Sequence, residues 1–405
     1  MGRAKEWMME QEARGYSEAD GDICADCVND PFLKQWVSDS AEATECSFCG
    51  AESEDAIAAS FDEFVGVVIG GIHFDWGSPE GEGVVYETRE GGWQANLTDT
   101  SDIVWDMDIS DDSDVIDAII DSIDNWGWVS RDFYRGSDSD ILTWGWESFK
   151  RYVKNETRFF FLARERDEYD HKQLTPGDLL AAISRIIKSD EYAKSIIQEI
   201  GVTEKIIRIR IDGEKQKRAT DIGAPPAEHA KWSNRMSPAG IPMFYGAFEY
   251  ETAHAETYDP KHDDGKVISA GTFQPLRPLR ILDLANLPPI PSVFDEDRTH
   301  LIHSLRFLHG FAHDISKPID RDGREHVEYV PTQIVTEYFR RIFRLKGGAM
   351  LDGIDYESSK RPGTVAIVLF CENNQAIDLD DEAEPEHMLR LVSVVHQKAG
   401  PLYDL

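Results

Sequence analysis

Four of the five cysteines form the pattern with the clearest chemistry: Cys24 and Cys27 in CADC, then Cys46 and Cys49 in CSFC, with 18 residues between the pairs. Two thiolates on one tight turn fill two corners of a tetrahedron, and the second pair fills the other two. Because all four ligands would come from the protein, the pattern predicts a structural zinc site rather than a catalytic one. Two disulfides or free thiols are the alternatives. The first residues lack the apolar segment of a secretory signal, so we expect a cytoplasmic protein, in which disulfides are rare.

The densest group of charged and aromatic residues lies between residues 234 and 256. Arg235 is followed by Tyr245 ten residues later and by Glu256 after eleven more. The segment KIIRIRID precedes this group, and the segment GIDYESSK follows it. A guanidinium group pairs with phosphate oxygens in a bidentate way, a tyrosine offers a flat ring and a hydroxyl, and a carboxylate stabilises a nearby positive charge.

Residues 205–372 resemble the RES domain, a bacterial toxin family. The matching segments, in order, are KIIRIRID, the Arg235–Tyr245–Glu256 spacing with ETAHAE, EYVPTQIVTEYF and DGIDYESS. The family has a fold like that of ADP-ribosyltransferases and consumes NAD, so the resemblance implies that NAD is the substrate. It also implies a protein partner, because RES proteins often have a separate antitoxin.

The resemblance implies a role for each of five residues. Arg208 and Arg235 would hold the pyrophosphate of NAD, and Tyr245 would stack near the nicotinamide or its ribose. Glu256 would act at the nicotinamide ribose. A serine would complete the pocket; we prefer Ser358, two residues after Tyr356, to its neighbour Ser359. The predicted catalytic residues are Arg235, Tyr245, Glu256 and Ser358. Each of the five also has an ordinary structural interpretation, such as an exposed strand residue for Arg208 or core packing for Tyr245.

Cleavage of the nicotinamide–ribose bond develops positive charge on the sugar, which a carboxylate stabilises without a metal ion. The implied enzyme would transfer ADP-ribose to water, phosphate or a macromolecule. The alternative from another class is a catalytically inactive RES-like module that binds a protein.

The N-terminal half resembles the HEPN-like region, with a cysteine-knuckle pair, that often precedes a RES domain. The residues that carry this resemblance are the CADC and CSFC pairs and KNETRFFF. Arg166 and His171 have the spacing of a HEPN ribonuclease pair, which gives a further alternative, an RNA-cleaving toxin. The acidic residues around this pair would repel RNA, so we favour a structural or regulatory role for this region.

The composition separates two halves of the chain. Residues 1–142 hold 34 acidic and 7 basic side chains, a net charge of −27, whereas the whole chain of 405 residues has a net charge of −34. Nine of the ten tryptophans precede residue 147. An aromatic content of 10% excludes a mostly disordered chain. The negative charge argues against a nucleic-acid binder, and no apolar run is long enough to span a membrane.

Apolar spacing predicts helices at residues 30–40, 53–72, 114–124, 145–161, 175–190, 191–201, 295–315 and 331–347. Short apolar runs predict strands at residues 205–212, 241–248, 266–273, 279–284 and 364–370. We therefore predict an α+β protein: a zinc knuckle at 1–52, an acidic, mainly helical HEPN-like region at 53–200, an ADP-ribosyltransferase-like mixed α/β RES domain at 201–375 and a C-terminal tail at 376–405.

Two further groups have ordinary interpretations. His300, His303, His309 and His313 share one predicted helix, but no carboxylate lies at a recognised ligand spacing, so we expect packing or solvent roles. Cys371 follows the apolar run AIVLF, and we expect a buried strand residue rather than a nucleophile.

Overall fold

The computed structural model describes residues 14–89, 91–123, 127–163, 174–318 and 323–402. The chain forms two compact units. The first contains Met1–Asp140 with Pro289–Ser304, and the second contains Ile141–Pro288 with Leu305–Leu405. No helix among the described residues is both long and apolar enough to cross a bilayer.

The first unit combines short strands with helices. Its strands are β1 (Asp22–Cys24), β2 (Ala58–Ser60), β3 (Trp76–Gly77), β4 (Tyr86–Glu87), β5 (Gly92–Trp93) and β6 (Val129–Ser130), paired in antiparallel fashion as β1–β2, β3–β6 and β4–β5. Its helices are α1 (Pro31–Asp39), α2 (Phe61–Asp75), α3 (Thr100–Asp106) and α4 (Ser113–Ser122). Helix α1 begins where predicted, because Asp30 accepts hydrogen bonds from the N–H groups of Phe32 and Leu33 and proline occupies the first helical position.

Helix α2 supplies much of the apolar core of this unit. Phe64, Val68 and Ile72 are fully buried on one side of the helix. The ring of Phe294, from the segment Pro289–Ser304, packs into the same core. A Cβ atom on Gly71 would lie 2.3 Å from this ring, so the absence of a side chain at Gly71 permits the contact.

The second unit is built on a mixed sheet of nine strands. They are β7 (Ile197–Ile200), β8 (Ile206–Asp212), β9 (Phe244–Ala247), β10 (Val267–Pro275), β11 (Leu279–Asp283), β12 (Gly353–Glu357), β13 (Val365–Leu369), β14 (Ala376–Ile377) and β15 (Leu389–Lys398). Their order is β14-β15-β10-β8-β9-β13-β12-β11-β7. The pairs β11–β12 and β14–β15 are parallel, and the other pairs are antiparallel. The strands β7, β14 and β15 lie outside the range 201–375.

The helices that follow residue 137 are α5 (Asp138–Asn155), α6 (Pro176–Lys188), α7 (Ala193–Ile196), α8 (Ala219–Ile222), α9 (Tyr250–Thr257), α10 (Thr299–Ser316), α11 (Glu325–Glu328) and α12 (Val330–Arg341). Helix α6 begins as predicted at Thr175 and Pro176. The Thr175 hydroxyl accepts a hydrogen bond from the N–H group of Asp178, and the Asp178 carboxylate accepts from Thr175 in return.

The two faces of the sheet bury separate apolar clusters. One face carries Phe244, Phe273 and Ile367, and the other carries Ile209 and Ala247. Helix α9 packs on the second face through Ala253. The α+β class is therefore confirmed, with a helical N-terminal region and a mixed sheet in the C-terminal part.

Four predicted helices differ from the structure. The helix predicted at 191–201 is wrong over most of its length, since residues 197–200 form edge strand β7, paired with β11. The helix predicted at 53–72 begins only at Phe61, because residues 58–60 pair with β1. The helix predicted at 145–161 ends at Asn155, and the helix predicted at 331–347 ends at Arg341. In the first two cases, pairing with a distant strand overrides local helical periodicity.

Candidate functional site

The four predicted metal ligands converge in the first unit. The Sγ atoms of Cys24 and Cys27 are 3.7 Å apart, those of Cys24 and Cys49 3.5 Å, and those of Cys27 and Cys46 3.8 Å. All four sulfur atoms lie within 4.8 Å of one another, and no disulfide joins them. Zinc–sulfur bonds of about 2.3 Å in a tetrahedron place sulfur atoms about 3.8 Å apart. The cysteine geometry therefore fits one metal ion.

The backbone around Cys46 favours a negatively charged sulfur. Burial alone would raise the pKa of this thiol, but N–H groups of Cys49, Phe48 and Cys24 donate to the sulfur and lower its pKa to about 7. At Cys24, burial raises the pKa. Such N–H···S contacts also support thiolates that bind a metal ion.

The second candidate site begins with Glu256 and Ser358. Glu256 lies in the last turn of α9, three residues after the buried Ala253, so it belongs to the side of the helix that packs on the sheet. The Ser358 hydroxyl, just after β12, donates a hydrogen bond of 2.5 Å to Glu256 Oε1. Ser358 is 1% exposed and accepts from the N–H groups of Lys360 and Arg361. The carboxylate of Glu256 is therefore held by a fixed, buried donor.

Two tyrosines share the sheet face on which α9 packs. Tyr356 of β12 lies opposite Ala366, which lies opposite Ala247, and Tyr245 is two residues before Ala247 on β9. Burial raises the pKa of Tyr245 to about 12, so its hydroxyl is protonated at neutral pH. Burial also raises the pKa of Tyr356 well above its usual value, and the neighbouring Glu256 adds to this effect.

The Arg235 guanidinium group contacts the C-terminal end of helix α10. Its Nη1 donates to the carbonyl oxygens of Ile315 and Lys317, both at 2.6 Å, and its Nη2 donates to the Ser359 hydroxyl at 3.4 Å. The last carbonyl groups of a helix carry partial negative charge and lack partners within the helix. Arg235 satisfies one such group, that of Ile315, together with the carbonyl group of Lys317 just after the helix, and places its positive charge there.

Three polar residues that sequence reasoning missed hold the segment around Arg235. The Thr332 hydroxyl donates to the Arg235 carbonyl at 2.5 Å, and the Gln333 amide donates to the Asn234 carbonyl at 2.8 Å. The hydroxyls of Ser237 and Tyr245 share a hydrogen bond of 2.9 Å. Thr332 and Gln333 belong to EYVPTQIVTEYF, which matched the family pattern without an assigned role.

Arg208 of β8 lies on the face opposite to Tyr245. Ile207 pairs with Ala247, and side chains alternate along a strand, so Arg208 shares its face with Phe244. The Arg208 guanidinium accordingly lies over the Phe244 ring, 5.1 Å from its centroid. The structure thus places Arg208 apart from the face that carries Glu256 and both tyrosines.

The Arg208 side chain still reaches the backbone of the neighbouring strand. Its Nε donates to the Ile222 carbonyl at 2.7 Å, and its Nη1 donates to the Tyr245 carbonyl at 2.6 Å. Burial and the adjacent Arg210 lower the pKa of Arg208 to about 10, which keeps it charged at neutral pH. Arg208 therefore ties α8 to β9, and its predicted contact with pyrophosphate stays a prediction.

The other residues considered as candidates from the sequence are Arg166, His171, the histidines of helix α10 and Cys371. Arg166 and His171 lie outside the described residues. The His303 ring stacks on Phe74 with centroids 5.0 Å apart, and His309 hydrogen-bonds the Pro288 carbonyl at 2.9 Å. Cys371 is fully buried two residues after β13, and burial raises its pKa to about 12, so the thiol is a poor nucleophile.

The chain matches two family models. HEPN/RES N-terminal domain 1 matches residues 39–167, and the RES domain matches residues 206–391. Comparison with curated proteins and with solved structures found no match. The RES match supports an NAD-related, toxin-like function in general. The chain therefore contains a region that matches HEPN/RES N-terminal domain 1, followed by a region that matches the RES domain.

Proposed function

We propose that the protein is a cytoplasmic enzyme that cleaves the nicotinamide–ribose bond of NAD and transfers ADP-ribose to water, phosphate or a macromolecule. The observation that carries this proposal is the 2.5 Å hydrogen bond from Ser358 to Glu256. It fixes a carboxylate on the sheet face that also carries Tyr245 and Tyr356.

Glu256 is the residue that would stabilise the reacting sugar. As the C–N bond breaks, its electron pair leaves with nicotinamide, which becomes neutral, and positive charge develops on the ribose. A fixed carboxylate nearby lowers the energy of that transition state. The acceptor oxygen then bonds to the same ribose carbon, and an acceptor such as water releases its proton to solvent. Ser358 is a positioning residue, because its hydroxyl is buried and engaged with Glu256.

Arg235 and Tyr245 would recognise the rest of the dinucleotide. Arg235 has donors beyond the Nη1 group that is bound to helix α10, and a guanidinium suits a pyrophosphate. Tyr245 would offer its ring to the nicotinamide or its ribose, and its hydroxyl, joined to Ser237, stays protonated at neutral pH. Arg208, on the opposite face of the sheet, would support strand β9 through its hydrogen bond to the Tyr245 carbonyl.

Incubation of the purified full chain with NAD tests the proposal. We expect release of free nicotinamide, and strong loss of release in Glu256→Gln and Arg235→Ala. Reactions with and without inorganic phosphate, analysed for ADP-ribose and its phosphate adduct, would identify the acceptor. Absence of nicotinamide release, or release unchanged in both variants, would contradict the proposal and favour a binding module.

We also propose that the four cysteines hold a structural zinc ion. The sulfur spacing and the N–H donors around Cys46 support this assignment. Four thiolate ligands leave no open position for substrate, so the ion would stabilise the fold around β1 and the second cysteine pair.

A protein partner that restrains the activity completes the proposal. The resemblance to the RES family suggests an antitoxin, and the net charge of −27 over residues 1–142 suits a basic partner. Co-purification from the native host, with the full chain and with a chain that lacks residues 1–142, tests this. Equal recovery of partners by both chains would argue against a role for the acidic region.

A further inference from the structure

A cavity of about 390 Å³ lies next to the contacts of Arg235 in the second unit. Lys317 and Thr332 line it, and both hydrogen-bond with Arg235: the Lys317 carbonyl accepts from the guanidinium, and the Thr332 hydroxyl donates to the Arg235 carbonyl. The cavity is thus adjacent to a residue of the candidate active site.

The walls of this cavity carry a local excess of positive charge. Four cationic side chains line it, against the two carboxylates Asp314 and Glu328: Lys150, Lys154, Lys317 and Arg324. The chain as a whole has a net charge of −34. A concave surface of opposite sign to the rest of the protein concentrates anions.

Three of the four cations are held in place by ion pairs: Arg324 Nη2 lies 3.8 Å from Glu328 Oε1, and both lysines are also paired. Lys150 and Lys154 lie four residues apart on helix α5, so they share one side of the helix. Lys154 Nζ is 2.6 Å from Glu328, and Lys150 bonds to Asp314 and lies 2.7 Å from Glu147. An ammonium group has three donors, so Lys154 keeps two donors and Lys150 keeps one for a ligand.

Lys317 contributes a cation that is more accessible to a ligand. Its side chain is exposed, and within the described part of the chain it makes no ion pair. Its backbone position is fixed, because its carbonyl accepts from Arg235. The cavity therefore combines ordered ammonium groups on α5 with a more accessible one at the end of α10.

We propose that this cavity is a phosphate-binding subsite. The group it takes is either a phosphate of the dinucleotide or free inorganic phosphate, and both would be placed next to Arg235. The catalytic role of this subsite rests on the proposed function, but phosphate binding to it can be measured without turnover of NAD. Lys150 and Lys154 lie outside residues 206–391, so the RES domain would use residues from a preceding helix to recognise its ligand.

Isothermal titration of the full chain, with inorganic phosphate and separately with ADP-ribose, tests the inference. Lys317→Gln and Lys154→Gln should each weaken binding about tenfold, the loss expected for one charge-assisted hydrogen bond. Glu328→Gln removes a negative charge from the wall and should tighten binding about fivefold. The matched control is Lys205→Gln, an exposed lysine outside the cavity lining, which should leave both affinities unchanged.

The two ligands distinguish the source of the phosphate group. Changes seen with inorganic phosphate would assign the cavity to free phosphate, whereas changes confined to ADP-ribose would assign it to the dinucleotide. Equal affinities in all variants, or an equal loss in Lys205→Gln, would overturn the subsite. Nicotinamide release by the same wild-type preparation is a separate measurement, so failure of the subsite and failure of the proposed enzyme can be told apart.

Discussion

Ser358 donates a hydrogen bond of 2.5 Å to Glu256, although the two residues are 102 positions apart in the chain. The same hydroxyl accepts from the N–H groups of Lys360 and Arg361. Its donor and acceptor positions are thus in use, which leaves Ser358 one favourable orientation. The carboxylate of Glu256 is therefore placed by the turn that follows β12.

Substitution of Glu256 should lower the rate of NAD cleavage more than substitution of Ser358. Glu256→Gln should lower kcat at least about 100-fold, because the charge that stabilises the sugar cation is lost. Ser358→Ala should lower kcat about tenfold with little change in KM, because the carboxylate remains but is less well oriented. Nicotinamide release over a range of NAD concentrations measures both constants.

Ser359→Ala is the control for the serine assignment. Ser359 contacts Arg235 at 3.4 Å and does not take part in the Glu256 hydrogen bond. We expect kcat within about twofold of the wild type, since a hydrogen bond at this distance is weak. A larger loss of kcat in Ser359→Ala than in Ser358→Ala would contradict the assignment of Ser358.

The cysteine cluster should contain one zinc ion per chain. Cys46→Ser should abolish metal binding and lower the Tm by at least about 5 °C, because binding energy of a structural metal is folding energy. Metal analysis together with thermal unfolding measures both effects. Cys371→Ala, at a buried cysteine outside the cluster, should retain the full metal content. A metal-free wild-type protein with an unchanged Tm would refute the site.

Arg208 should be more important for stability than for catalysis. Arg208→Met leaves the carbonyl groups of Ile222 and Tyr245 without their donor, at a cost of about 1–3 kcal/mol for each buried group. Urea unfolding measures this loss. Arg210→Met, at an exposed position on the same strand, is the matched control and should change stability by less than about 0.5 kcal/mol. A stable Arg208→Met protein with a raised KM for NAD would instead support the predicted pyrophosphate contact.

A buried pair of carboxyl groups should make stability depend on pH. Asp283 and Asp355 are opposite each other on the parallel strands β11 and β12. Asp355 is 6% exposed, and its Oδ1 has no hydrogen-bond partner among the described residues. Burial, and then the negative charge of Asp283, raise the pKa of Asp355 well above its usual value.

The raised pKa of Asp355 in the folded protein determines how stability changes with pH. The unfolded chain loses the Asp355 proton near pH 4, before the folded protein does, so this group destabilises the fold as pH rises above about 4. Asp355→Asn should therefore stabilise the protein by about 1–2 kcal/mol at pH 7.5, with the gain vanishing near pH 4. Urea unfolding at both pH values measures it. The control is Asp212→Asn, at the exposed end of a strand, which should change the free energy of unfolding by less than about 0.5 kcal/mol at either pH. A gain in Asp212→Asn equal to that in Asp355→Asn would contradict the explanation.

Local features of the sequence were sufficient for several parts of this protein. The C-x2-C pairs predicted the cysteine cluster, because two thiols on one turn are already close. Thr175 and Pro176 predicted the start of α6, since a helix cap involves only neighbouring residues. The alternation in KIIRIRID predicted strand β8, and the order of the four family segments predicted the RES domain that the family model matches.

Tertiary structure decided the rest, because the contacts involved join residues far apart in the chain. Strand β7 forms only through pairing with β11, although its sequence has helical spacing. Register between β8 and β9 places Arg208 on the face opposite to Tyr245, which no count of sequence spacing reveals. Glu256 is joined to Ser358 rather than Ser359 because α9 packs on one face of the sheet and the turn after β12 presents a single hydroxyl to it. Composition and local pattern determined which residue types were available; strand register and helix packing determined which of them meet.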